Sequence, residues 1–276
     1  RERVEKVESA ARADLSATAR LSPSIDDKAG SGAATVSADA AAGSATAGRS
    51  GSAGRSTGSE SRSGGGAASA SSTGSAAGTT ATYPEVSTLV VGASTGGPNV
   101  VERVLAGLPR EANLRVLVVQ HMPEGFTERF ATRLDGRSAY DVREAESGER
   151  IGPGEARVAP GDHHLVTTSD RNKRLRLELT ETEPVHGVRP AIDITMASAV
   201  ESIDGPLCAV LLTGMGRDGV DGVQRVAGVG GRTIAQDEET SAIFGMPRRA
   251  IESGHIHTVA PAEEIAEHAL EYFAEE

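Results

Sequence analysis

The 276-residue chain has one cysteine, no tryptophan, 3% aromatic residues and only three lysines, Lys6, Lys28 and Lys173. Each shortage excludes something. A single thiol, Cys208, cannot form an intrachain disulfide. Its place in the apolar run Leu207-Cys208-Ala209-Val210-Leu211-Leu212 marks it as an inert core side chain. No Cys/His cluster has zinc-site spacing, and neither a metal nor an organic cofactor is expected. No apolar stretch is long enough to span a bilayer. Behind Arg1-Glu2-Arg3-Val4-Glu5-Lys6 there is no apolar segment of a secretory signal. The expectation is a cytoplasmic protein with no membrane insertion. The first residue is arginine, so further chain is expected upstream of it.

Positive charge is also short, with 28 basic against 39 acidic residues and a net charge of -11. Such a surface repels nucleic acid and anionic membranes, and no nucleic-acid partner is expected. The basic runs Arg171-Asn172-Lys173-Arg174, in a hairpin turn, and Arg248-Arg249 are read as solvated surface. Dense carboxylates with little lysine fit a protein adapted to high salt.

The composition is not uniform. Residues 1–28 are charged, with Val4, Val7, Ala10, Ala11 and Leu15 at helical spacing. This segment reads as a helix or connector, the end of a preceding domain. Residues 29–82 are mostly Gly, Ala, Ser and Thr, too poor in large apolar side chains to offset the entropy of ordering, and read as a flexible linker. Residues 83–276 read as a globular domain.

In that domain strands and helices alternate. Apolar runs predict strands at 87–92, 114–120, 157–159, 164–168, 207–213 and 233–236. The alternation of Leu175-Arg176-Leu177-Glu178-Leu179 predicts a half-exposed hairpin partner. Amphipathic spacing predicts helices at 98–108, 126–134, 192–202, 218–227 and 261–273, the first and last with proline in the first turn. The fold class is α/β, an open doubly wound three-layer sandwich on a mostly parallel sheet, with functional residues at the carboxyl ends of strands.

Three of those strand ends carry chemistry. The first runs into Gly92-Ala93-Ser94-Thr95-Gly96-Gly97, a G-x-S-x-G turn that exposes a serine hydroxyl at the start of a helix. The second ends in Gln120-His121-Met122-Pro123. A βαβ unit brings neighbouring strands together, so His121 is expected beside Ser94 as its base. The third runs into Gly214-Met215-Gly216-Arg217-Asp218-Gly219, and Asp218 is the carboxylate expected to orient His121. Asp218 also suits the N-cap of its own helix. Arg217 is read as pointing to solvent. Each motif alone has a blander reading: the glycine loop can cradle a phosphate, and a lone histidine after a strand is usually a solvated loop residue. Among the other histidines, His186 is expected to line the cleft, His163 and His164 to be structural or at the rim, His255 and His257 to alternate across a late strand, and His268 to be solvated.

From about Val86 to Phe273 the chain resembles the catalytic domain of the chemotaxis protein-glutamate methylesterases, the CheB family, with a haloarchaeal cast. The blocks that carry the resemblance are Gly92 to Pro98; Gln120 to Pro123 with Gly125-Phe126-Thr127; Ala159-Pro160-Gly161 with His164; Arg189-Pro190 with Asp193; Leu211 to Gly216 with Asp218-Gly219; and Gln236-Asp237 through Phe244-Gly245-Met246-Pro247. The resemblance implies Ser94 as nucleophile, His121 as base and Asp218 as acid. It puts Thr95, Met215 and Gly216 around the oxyanion, Thr95 also helping to place the histidine, and Gly96, Gly97, Met122, His186 and Arg189 in the cleft. It implies hydrolysis of glutamate γ-methyl esters on methyl-accepting chemoreceptors, with deamidation of receptor glutamines, and a link to the chemotaxis histidine kinase through a receiver domain absent from this chain. Ala191 departs from the family's Arg-Pro-Ser stretch. A small-molecule serine esterase and a non-enzymatic phosphate- or nucleotide-binding module are the competing readings.

Overall fold

A computed structural model describes residues 86–172 and 174–275. The expected N-terminal helix, the linker and Lys173 lie outside the described residues.

The described chain runs β1 (Ser87–Ala93), α1 (Gly97–Ala106), β2 (Leu114–Gln120), α2 (Thr127–Asp135), β3 (Asp141–Glu144), β4 (Glu155–Val158), β5 (His164–Ser169), β6 (Leu175–Thr180), α3 (Ile192–Ser202), β7 (Leu207–Leu211), α4 (Val220–Gly228), β8 (Arg232–Gln236), α5 (Met246–Glu252), β9 (Thr258–Ala260) and α6 (Ile265–Glu275). Seven strands form one sheet in the order β3-β4-β2-β1-β7-β8-β9, and every pairing in it is parallel. The expected hairpin stands apart as the antiparallel pair β5-β6, with His164 opposite Thr180.

All seven residues of β1 are buried. Such a strand needs cover on both faces, and the side-chain alternation distributes it. Leu89, Val91 and Ala93 enter a core with Val101 and Val104 of α1, Phe130 of α2 and Phe273 of α6. Val90 enters the opposite core with Ile192 and Met196 of α3, Val223 of α4 and Met246 of α5. This is the three-layer architecture.

The chain leaves β1 for β2 on one side and later returns to β7 on the other. The carboxyl end of β1 is therefore a topological switch point, where adjacent connections diverge and leave a crevice.

Several boundaries differ from expectation. α4 begins at Val220, because Gly216 and Gly219 have φ of 101° and 91° and keep the preceding loop out of helix. α6 begins at Ile265. The edge strands β3 and β9 and the seven-residue helix α5 carry too short an apolar pattern to be read in advance. His255 and His257 precede β9 instead of alternating across it; His257 accepts or donates at 2.7 Å to the Thr233 hydroxyl.

Candidate active site

β1 and β2 are paired in parallel to their ends, Ala93 opposite Gln120, and His121 N–H extends the ladder to the Ala93 carbonyl at 3.0 Å. There the two strands part. Ser94 N–H turns the other way and donates to the Thr213 carbonyl beyond β7 at 3.0 Å. Gly96 then adopts φ 83°, a left-handed turn that suits glycine, and α1 starts at Gly97. Ser94 is half-buried at the mouth of this turn. Among the described residues, its hydroxyl has no hydrogen-bond partner.

β7 delivers the third group. His121 Nε2 lies 2.7 Å from Asp218 Oδ2, with the two side chains 11% and 3% exposed. The same Oδ2 accepts the Ile192 N–H at 2.7 Å, and Oδ1 accepts the Asp193 N–H at 3.0 Å. Asp218 therefore does cap a helix, but it caps α3 and not α4. The N-cap positions of both helices, Ala191 and Gly219, offer no side-chain acceptor of their own. Burial by itself pushes Asp218 up. The His121 bond and charge, with the two N–H donors, outweigh that and hold the carboxyl below the ordinary carboxylate range. Asp218 is thus an anion at neutral pH. Its bond fixes the His121 tautomer with the proton on Nε2, leaving Nδ1 as the basic nitrogen.

A second histidine–carboxylate pair adjoins the first. His186 Nε2 lies 2.8 Å from Asp193 Oδ2, and Asp193 is fully buried. The other oxygen of Asp193 accepts the Gly222 N–H at 2.7 Å, in the first turn of α4. Burial and the neighbouring Asp218 and Asp221 charges raise Asp193, against the lowering effect of His186; the Asp193 bond in turn raises His186. His186, Asp193 and Asp218 bring three ligand-type atoms within 4.8 Å of one another. Each carboxylate oxygen there faces an N–H, so the cluster is one continuous hydrogen-bond network.

The remaining expected site residues distribute unevenly. Met215 is 69% exposed on the β7–α4 loop, with Gly216 beside it. Among the described residues no hydrogen bond is seen from the backbone N–H groups of Thr95, Met215 and Gly216. The Thr95 carbonyl accepts the Thr213 hydroxyl at 2.9 Å, and no hydrogen bond joins Thr95 to His121 among the described residues; Asp218 places the ring. Met122 packs on the α1 side of the core. Gly97 is buried under Gln120. The Arg189 guanidinium is held by Asp162, at 2.6 and 3.1 Å, and by the Glu181 and Thr182 carbonyls. One reading needs correction. Arg217 does not point free into solvent but pairs at 3.0 Å with the buried Asp221, an i,i+4 contact that the spacing allowed.

Sequence reasoning missed Gly214. A Cβ there would lie 2.6 Å from both Ser94 Cβ and Met246 Sδ, so only glycine lets the β7 loop pass the serine. It also missed the exposed Phe126 (56%) and Ile243 (39%), on the loops that follow β2 and β8. A cavity of about 740 Å³ lies at the opposite, amino-terminal edge of the sheet, lined in part by Arg115, Arg150 and Arg174. Burial there lowers Arg115 to about 10, and its Nε donates to the Thr88 hydroxyl at 2.8 Å. It is remote from Ser94 and takes no part in the site.

The family model described as CheB methylesterase matches residues 89–269. The chain belongs to the CheB methylesterase family. Among curated CheB relatives, the protein-glutamate methylesterase/protein-glutamine glutaminase of Natronomonas pharaonis is 59% identical over 189 residues, 68% of this chain and 53% of the relative. The protein of the same name from Thermotoga maritima is 43% identical over 194 residues, 70% of this chain and 56% of that one. The chain thus spans about half the length of the curated relatives it matches. The crystal structure of the Thermotoga maritima CheB methylesterase catalytic domain superposes with a TM-score of 0.65 at 42% identity, covering 67% of this chain and 97% of that one.

Proposed function

We propose that the chain is the catalytic part of a protein-glutamate methylesterase that cleaves glutamate γ-methyl esters on chemoreceptors and deamidates receptor glutamines. The observation that carries the reading is the 2.7 Å bond between His121 Nε2 and the anionic Asp218, one strand from the half-buried Ser94. Family membership and the names of the relatives support the substrate class.

In this mechanism Ser94 Oγ attacks the ester carbonyl as His121 Nδ1 takes its proton; Asp218 stabilises the imidazolium through Nε2. The N–H groups of Thr95, Met215 and Gly216 receive the tetrahedral oxyanion. Collapse breaks the C–O bond, and the methoxide leaves as methanol with the His121 proton. Water then attacks the acyl-serine, giving its proton to His121, and the glutamate is released as Ser94 recovers the proton. With glutamine as substrate the C–N bond breaks and ammonia leaves by the same route.

No helix of the described residues is long and apolar enough to cross a membrane, in keeping with a cytoplasmic enzyme. Control by the chemotaxis kinase would act through a receiver domain carried by the whole protein. The test is methanol release from methylated chemoreceptor by this chain and by Ser94→Ala, at high salt. Release that the variant lacks is expected; no release from folded parent chain would overturn the substrate class.

A further inference from the structure

We infer that Gln120 is a positioning residue that ties the backbone of Ser94 to that of His121; the inference rests on the serine-hydrolase reading above.

Gln120 closes β2 and is 2% exposed. β1 and β2 cease to pair at its level, because Ser94 turns toward Thr213 while His121 continues toward Ala93. The Gln120 side chain bridges the gap so opened. Its Nε2 donates to the Ser94 carbonyl at 2.9 Å and to the His121 carbonyl at 3.2 Å. The Ser94 carbonyl also receives the Gly97 N–H at 2.9 Å, which closes the turn. One amide group therefore fixes the main chain of both residues.

Gln120 Oε1 is buried without a hydrogen-bond partner among the described residues. A buried acceptor left unpaired costs stability, and a sequence selected only for packing would place an apolar side chain here. Turning the amide over would set Oε1 against two carbonyl oxygens, so the orphan is the lesser cost. Gly97 is fitted to this side chain: a Cβ on it would stand 2.2 Å from Oε1. What the unpaired oxygen maintains is the pair of N–H bonds, and a displacement of about 1 Å between nucleophile and base costs on the order of 100-fold in rate.

The experiment uses the full chain, Gln120→Met, which keeps length and removes the donors, and Gln120→Glu, which regains one O–H donor when protonated. Three readouts are taken: the pH-dependent rate at which a fluorophosphonate labels Ser94, kcat and KM for methanol release, and amide hydrogen exchange. Gln120→Met is expected to lower labelling and kcat about 10- to 100-fold with KM unchanged within about twofold. The rate of Gln120→Glu relative to the parent is expected to rise as pH falls, whereas that of Gln120→Met stays flat. Exchange at the Gly97 amide is expected to accelerate without change in the amides of β1 and β2. Parent-like labelling in both variants, a loss confined to KM, or unchanged Gly97 exchange would each overturn the inference. A parent chain that labels but releases no methanol would instead overturn the substrate reading alone. If the parent does not label at all, the serine-hydrolase reading falls, and with it the inference.

Discussion

Asp193 donates its backbone N–H to the Asp218 carboxylate at 3.0 Å, and its own carboxylate accepts the Gly222 N–H at 2.7 Å. The first turn of α3 thus supplies donors to the residue ahead of α4, and α3 returns an acceptor to the first turn of α4. Each helix has its amino end satisfied by the other's acid. Orienting His121 and joining α3 to α4 are one job for Asp218.

Asp218→Asn should therefore fail in two ways. Activity should fall on the order of 10³- to 10⁴-fold, because a neutral amide neither fixes the tautomer nor stabilises the imidazolium. Stability should fall by about 1 kcal/mol from the weakened cap. Asp218 is held low, so its stabilisation is present above about pH 3.9 and is lost as pH falls through the folded value. Denaturation curves of parent and variant should converge with acidification. Parallel curves down to pH 2 would refute the assignment.

His186 and Asp193 should show the opposite sign. Both are raised, so the folded state holds their proton longer than the unfolded chain does. The His186 contribution is full below about pH 6.5 and fades as pH rises through its raised value; the cost of Asp193 also grows with pH. The stability of the parent relative to Asp193→Asn should decline as pH rises from about 3.9 through about 7, the raised value of Asp193. Ring NMR should show His186 titrating above the usual histidine range in the parent and moving down in the variant.

Gly214→Ala should silence the site without unfolding the domain. The new Cβ meets Ser94 Cβ at 2.6 Å, and β1 cannot yield because both its faces are packed. A loss of fluorophosphonate labelling of about 100-fold or more is expected, with circular dichroism retained. Parent-like labelling would mean that the loop moves freely past the serine.

The acidic surface gives a solution test. Haloarcula marismortui and Halobacterium salinarum supply relatives at 56% identity, and this chain carries a net charge of -11. Its thermal midpoint should rise with KCl from low salt into the molar range as self-repulsion is screened. A midpoint insensitive to salt would argue against salt adaptation.

Much of this was legible in the chain. Ser94, His121 and Asp218 could be read because each follows an apolar strand, and carboxyl ends of parallel strands share one edge. The burial of β1 and β7 could be read from their unbroken apolar runs. The strand order, which sets β7 beside β1, could not, since it depends on crossovers chosen by packing. Nor could the backbone N–H groups of Asp193 and Gly222 that the Asp218 and Asp193 carboxylates accept, 25 and 29 residues away on another element. Local patterns assign a cap to the nearest helix, and here the nearest helix was the wrong one. The pairing of Arg189 with Asp162 was hidden for the same reason, the two being 27 residues apart.

The sequence by itself determined that Ser94, His121 and Asp218 follow the ends of strands, because hydrophobic period and turn residues are local properties. Only the tertiary structure decided which nitrogen of His121 faces the acid, that two helices exchange their caps, and that Gln120 and Gly214 hold Ser94 in place. Those are contacts between distant segments, and they exist only once the sheet has brought its strands together.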